Sequence, residues 1–353
     1  MKIAVLGGGH GAYAAAADLS EQGHEVRLWR RDQAALATLF VSSQLLLTDE
    51  RGSRPVRIPA LFTDPADAVR GAELVVMPGP APSQLDIGRA IAPALQDGQV
   101  VFMPPGSFGA YAVPKTLGVT KDVLWAETGT LPYLARKRGP AEIAITVRAV
   151  RLPTGVYPSE AAPRAMQTIR QAYPSAEPCG NALSGALMNA GPMIHPPLIL
   201  MNAAPLEHFE RWDIHSEGTQ PSVRAVTTRL DEERIALRKA IGFAAPHYPL
   251  ADHYTSDRWM YGDAHRKLVK SGDWREKIDL HVHRYMTEDV VFGLAFLVSA
   301  ARWAGSPAPV AGGLLAIAGA ILGRELERGE RTLEALGLAG LSREELQRRL
   351  ERR

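Results

Sequence analysis

The stretch Lys2-Ile3-Ala4-Val5-Leu6-Gly7-Gly8-Gly9-His10-Gly11-Ala12 sets a short aliphatic strand directly against a glycine-rich turn. Lys2–Leu6 shows no polar alternation, which is the pattern of a parallel strand covered on both faces. Tyr13–Gln22 then reads as a helix closed by Gly23, and Glu25–Trp29 as the next strand. Strand, Gly7-x-Gly9-x-x-Ala12, helix and strand within about thirty residues make the dinucleotide fingerprint in its proper setting. Gly7 makes the tight turn, Gly9 lets a pyrophosphate approach the backbone, and the small Ala12 lets helix and strand pack closely. The helix N-terminus faces the phosphates with its unbonded N–H groups. His10 and Gly11 lie inside the loop and are counted with the cofactor-binding residues, although the imidazole itself reads as incidental.

The end of the second strand chooses the cofactor. A carboxylate there would bind the 2′-hydroxyl of NAD. This strand ends Trp29-Arg30-Arg31-Asp32. Guanidinium forks chelate phosphate oxygens, so Arg30 and Arg31 favour the 2′-phosphate of NADP, while Asp32 leaves NAD open. Further strands are expected at Leu74–Met77, Val100–Met103, Val123–Ala126 and Ile143–Val147. Ligands of open α/β sheets bind outside the carboxyl ends of the strands, so Pro78, Gly79, Pro105 and Gly106 join the cofactor list. Thr130, Tyr133 and Arg136 follow the strand at Val123–Ala126 and are candidate substrate contacts, as is Asn202 in the second half. One more helix is expected at Pro158–Ala172.

The 353 residues suit two domains, and 46% hydrophobic residues is ordinary for a globular protein. A net charge of +2 is too mild to point to nucleic acid or an anionic membrane. One cysteine, Cys179, fits a reducing, cytoplasmic setting. Ile3–Leu6 is too short for a signal-peptide core. The apolar runs Val290–Ala301 and Val310–Leu322 fall short of the roughly 18–20 residues that span a bilayer. They read as buried helices and as a candidate homodimer interface.

After Asn181 strand alternation fades. Helices are expected at 183–187, 197–203, 223–241, 263–268, 288–303 and 310–328. The fold class is therefore α/β: an N-terminal Rossmann-type doubly wound sheet, residues 1–182, followed by a mostly α-helical domain, residues 183–353. Ser342 with Glu345 three residues on forms a capping-box pattern for a terminal helix. His195 lies between Ile194 and Pro196-Pro197. Each proline pushes the preceding residue out of the α region, so His195 and Pro196 should be extended, at the mouth of the helix that follows. Thr287 suits an N-cap, with Glu288 and Asp289 in the first turn. His281-x-His283 falls on a segment that reads as helical, where residues two apart point about 200° apart. His247 and His253 have no carboxylate or cysteine at useful spacing, and no metal site is assigned.

Several of these motifs together resemble the opine dehydrogenases of the octopine/nopaline type. They are Gly7-x-Gly9-x-x-Ala12, Pro105-Gly106-Ser107-Phe108-Gly109, Ala126 through Tyr133-x-x-Arg136, Asn189 through His195-Pro196-Pro197 to Asn202, and Arg284-Tyr285-Met286-Thr287-Glu288-Asp289. Val291 stands where the family pattern has proline. The resemblance implies condensation of a 2-keto acid with the amino group of an amino acid, and reduction of the imine by NAD(P)H. It places the catalytic histidine on His195, its aspartate partner on Asp289 and the family arginine on Arg284. Loss of water from a carbinolamine needs a proton donor, and imidazole titrates in the right range. The alternative is a ketone reductase of the ketopantoate reductase or glycerol-3-phosphate dehydrogenase type, which relies on a lysine between its domains. No lysine lies between Arg138 and Lys239. A non-catalytic NADP(H)-binding sensor is the third reading.

Overall fold

In the computed structural model, which describes residues 1–272 and 274–352, the fingerprint stretch folds as its pattern requires. Lys2–Leu6 is strand β1, the helix His10–Glu21 starts at Gly9, and Glu25–Trp29 is β2, parallel to β1. The chain divides into two compact units, Met1–Ala186 together with the residues from Leu350, and Leu187–Arg349.

The remaining strands of the first unit are β3 (Gln44–Asp49), β4 (Gly52–Arg57), β5 (Ala60–Phe62), β6 (Leu74–Val76), β7 (Val100–Met103), β8 (Leu124–Thr128), β9 (Tyr133–Gly139), β10 (Glu142–Arg148), β11 (Leu152–Tyr157) and β12 (Ala176–Asn181). Among the described residues eight of the strands form one sheet in the order β12-β11-β8-β7-β6-β1-β2-β5. The six from β8 to β5 run parallel, and β11 turns antiparallel to β8. The strand order reverses at β1, flanked by β2 and β6, and this is where an open α/β sheet leaves a ligand crevice. Ile3 to Leu6, Leu74 to Val76 and Val100 to Met103 are wholly buried, which explains their unbroken apolar runs.

A second, four-stranded sheet, β4-β3-β10-β9, completes the unit. The strand expected at Ile143–Val147 is β10, but it pairs with β3 and β9 and is not in the large sheet. Charges tie this sheet to the fingerprint helix. Glu21 takes Arg51 and Arg54, and Asp18 accepts from Arg148 Nε at 2.7 Å. Asp49 accepts from Arg54 at 2.7 Å and from Arg148 at 2.8 Å. These bonds hold the Asp49 carboxyl below the usual carboxylate range, Arg54 contributing most, against the opposing effect of burial.

The second unit is mostly helical, with the short strand pair Trp212–Asp213 and Arg275–Glu276. Its longest helix, Pro221–Ile241, carries a buried Glu233 whose two oxygens accept from the Val310 and Ala311 N–H groups at 2.9 and 3.0 Å. Glu233 thereby caps the following helix Pro309–Leu322 from outside. Ser342 and Glu345 bond reciprocally at the start of Arg343–Glu351, the capping box expected there. Among the described residues no helix is long and apolar enough to cross a membrane.

Two expectations for this unit need correction. His195 and Pro196 are not extended: both lie inside the helix Gly191–Met201. Pro192 stands in the first turn, where N–H groups have no intrahelical partner, and Pro196 and Pro197 remove only the bonds to the carbonyls of Pro192 and Met193. Close packing against a second helix outweighs that loss. Nor is Thr287 a cap. The helix starts earlier, at Tyr285, and the Thr287 hydroxyl bonds back to the His283 carbonyl at 3.3 Å.

Candidate functional site

In the first unit the glycine loop is shaped by what its missing side chains allow. Gly7 sits at φ +148°, and a Cβ there would touch that of Ala12 at 3.3 Å. A Cβ on Gly9 would meet nothing within 4 Å, so the space above the helix start is open. No side chain caps that start. An open backbone at an uncapped helix N-terminus fits the pyrophosphate of a dinucleotide. Gly11 packs on Pro78 from the end of β6, 3.4 Å from where its Cβ would be. Gly79 lies beside Ser83, and Gly106 lies on the buried Glu127, whose side chain leaves no room for a Cβ. In the loops that follow β6 and β7, each glycine thus makes room for a neighbouring side chain packed against its backbone.

Arg30 lies over Gly8 and donates to the Tyr13 hydroxyl at 3.2 Å, with Asp32 at 3.5 Å. Arg31 is exposed. Sequence reasoning missed Lys137 on β9, whose ammonium stands 3.8 Å over the Tyr13 ring. Burial, with the charge of Arg30 beside it, holds that ammonium below the usual lysine range against the pull of Asp32. His10 is not incidental: its Nδ1 accepts the Lys137 backbone N–H at 2.9 Å and ties loop to strand.

Tyr133 and Asn202 belong to the framework and are withdrawn as substrate contacts. The Tyr133 hydroxyl is fully buried and donates to Asp18 at 2.9 Å. Both Nδ2 hydrogens of Asn202 are taken, by the carbonyls of Leu198 at 2.8 Å and Gly218 at 3.1 Å. Thr130 is buried, and its carbonyl accepts the Thr128 hydroxyl at 2.5 Å. Arg136 is half-buried on β9, opposite Ala144 of β10.

The second unit brings His195 and Asp289, 94 positions apart, to 2.7 Å between Nδ1 and Oδ2. Helix Gly191–Met201 packs on Tyr285–Leu294, a run of wide i→i+5 turns of the kind that recurs at functional sites. Two glycines permit the approach. A Cβ on Gly191 would lie 2.1 Å from Asp289 Oδ1, and one on Gly293 2.2 Å from Pro192 Cγ. Tyr285 stacks on the His195 ring at 3.7 Å between centroids, tilted 16°. One helix therefore clasps the imidazole by face and by edge.

Asp289 is buried, its side chain 2% exposed, whereas that of His195 is 17% exposed. Burial pushes the Asp289 carboxyl up to about 7, opposed by the charge of Arg284. The 2.7 Å bond couples this raised carboxyl to the imidazole, so the two exchange protons as a pair. Arg284 acts on Asp289 through its charge and pairs with the buried Glu288 at 2.9 Å. That partner was legible as an i, i+4 spacing and was assigned to the helix dipole instead. Among the described residues no group of three or more His, Cys, Asp or Glu is placed to hold a metal ion.

A family model described as NAD/NADP octopine/nopaline dehydrogenase, alpha-helical domain, matches residues 178–322. The opine dehydrogenase of Arthrobacter sp. (strain 1C) is 27% identical over 350 residues, covering 96% of each chain. The structure of octopine dehydrogenase with NADH and L-arginine matches at TM-score 0.69 and 18% identity, over 97% of this chain and 98% of that one. A ketopantoate reductase from Ralstonia eutropha JMP134 matches at TM-score 0.60 and 18% identity, over 92% and 99%. At that identity the two structures share a fold with this chain.

Proposed function

This chain belongs to the opine dehydrogenase family, NAD(P)-dependent oxidoreductases acting on CH–NH bonds, and from that premise we propose that it joins a 2-keto acid to an amino acid and reduces the imine. The observation that carries the reading is the 2.7 Å pair of His195 with a buried Asp289.

Attack of the amine nitrogen on the keto carbon gives a carbinolamine, whose hydroxyl leaves as water only if it gains a proton. His195 donates that proton through Nε2, because Nδ1 is held by Asp289. Asp289 orients the ring and takes up the positive charge that collects on it, and stacking on Tyr285 fixes its plane. Arg284, half-exposed and oriented by Glu288, binds a substrate carboxylate. Thr130 and Arg136 are the substrate candidates of the first unit. NAD(P)H, when bound, supplies the hydride that reduces the imine carbon. The open backbone above Gly9 and the uncapped helix start fit its pyrophosphate, and Arg30 favours NADP(H) over NAD(H).

The reading extends to a cytoplasmic setting, which suits the lone Cys179, and to a homodimer. In the dimer, the exposed Ala316, Ile317 and Ala320 of helix Pro309–Leu322 meet their copies.

The test is oxidation of NADPH by the protein with pyruvate, with and without a panel of amino acids. Turnover that depends on the amine is expected. Oxidation that every amine leaves unchanged would establish plain ketone reduction, the reading that the fold of the ketopantoate reductase keeps in play.

A further inference from the structure

The sequence sets two arginines at the end of β2, yet the cation that the fold brings beside Arg30 is Lys137, from a strand of the inserted sheet. Both cations meet on the same two residues. Arg30 lies over Gly8 and bonds the hydroxyl of Tyr13, while Lys137 stands over the ring of Tyr13 and reaches the Gly8 carbonyl at 3.4 Å. The His10 bond to the Lys137 backbone fixes the strand against the loop at that point.

We propose that Lys137 is the second cation of the cofactor's 2′-phosphate site, with Arg30 as the first and Tyr13 as the platform that spaces them; this deepens the NADP(H) preference proposed above. Two like charges gathered on one buried ring repel each other, and each loses hydration. Asp32, paired with Arg30 at 3.5 Å, leaves one of the two positive charges unbalanced, and a ring face and a carbonyl at 3.4 Å do not cancel it. A phosphate dianion does, with a guanidinium fork on one side and a point charge on the other. The site lies beside Gly8, between the two fingerprint glycines, and at the end of β2, the place where this fold holds the adenosine ribose. The repulsion between the two cations also shows in the depressed Lys137 ammonium, for which burial is the larger cause and which the Asp32 charge opposes.

The experiment is calorimetric binding of adenosine 2′,5′-bisphosphate and of adenosine 5′-monophosphate to the full chain, without any turnover. Wild type should hold the bisphosphate at least about tenfold more tightly, the scale of a charge-assisted contact. Lys137→Met should remove most of that difference while leaving the monophosphate within about twofold. Lys137→Arg, which keeps the charge, should retain the discrimination. If Lys137→Met keeps the full difference, the proposal fails and Arg30 alone carries the preference. If it weakens both nucleotides alike, Lys137 is structural and the proposal fails too. If wild type itself shows no difference, this site and the NADP(H) preference fall together. The amine-dependent reaction would be untouched, since pyruvate and amine assays judge it separately.

Discussion

On the proposed mechanism His195 and Asp289 act as one titrating unit that carries a proton below about pH 7 and gives it up above. The reductive direction consumes that proton. Its kcat/KM should therefore fall about tenfold per pH unit above the break, while the reverse oxidation, which needs the dyad to accept a proton, should rise through the same pH. Opposite slopes with one shared break are the signature to look for in paired pH profiles. Asp289→Asn should move the shared break, because the imidazole loses the carboxyl it is coupled to, and a break that stays in place would remove Asp289 from the proton path. His195→Ala should lower kcat by about 10²–10⁴ with nucleotide binding intact, measured by turnover beside nucleotide titration. At this scale the sequence was most informative about His195, Arg284 and Asp289, because short motifs carry them. It was least informative about Lys137 and Tyr285, whose meaning depends on what a distant segment brings near. Tyr133 and Asn202 misled for a related reason: their polar groups are absorbed by Asp18 and by two carbonyls.

Helix pairing decides whether the dyad exists. Gly191 and Gly293 let helix Gly191–Met201 and the wide helix Tyr285–Leu294 approach until Asp289 Oδ1 and the Pro192 ring fill the room of two absent side chains. Gly293→Ala should destabilise the protein by about 1–3 kcal/mol, because the contact is with a rigid ring. Gly312→Ala, in helix Pro309–Leu322 where a Cβ meets nothing within 4 Å, should stabilise it by about 0.5–1 kcal/mol. Denaturant midpoints of the two variants check the contrast, and equal effects would refute the packing argument. Propensity alone could not place the start of helix Gly191–Met201. Pro196 and Pro197 argue against a helix there, and only the neighbour it packs on explains one. The helix at Pro221–Ile241 was legible because its amphipathic period is long and its end is marked by Gly242.

For the molecule as a whole, the proposed homodimer predicts twice the chain mass by light scattering, and Ile317→Arg should halve it. Ile317 is 53% exposed, so the substitution leaves the chain's own core alone. A wild-type monomer would dispose of the proposal. The large sheet was readable from sequence because each central strand is a buried aliphatic run of the kind that parallel strands require. The second sheet was not. Gln44–Asp49, Gly52–Arg57 and Tyr133–Gly139 are partly exposed, charged or broken by proline, and the pairing that joins the two hairpins, β3 with β10, links segments far apart along the chain. That distance has a consequence during synthesis. The hairpin of β3 and β4 can form early, but the free edge of β3 waits for β10, whose Glu142 pairs with Leu46. At the usual pace of a ribosome the wait is roughly 5–20 s. Through that interval the nascent chain displays an open strand edge, and a holdase that shields it would raise the yield of folded protein.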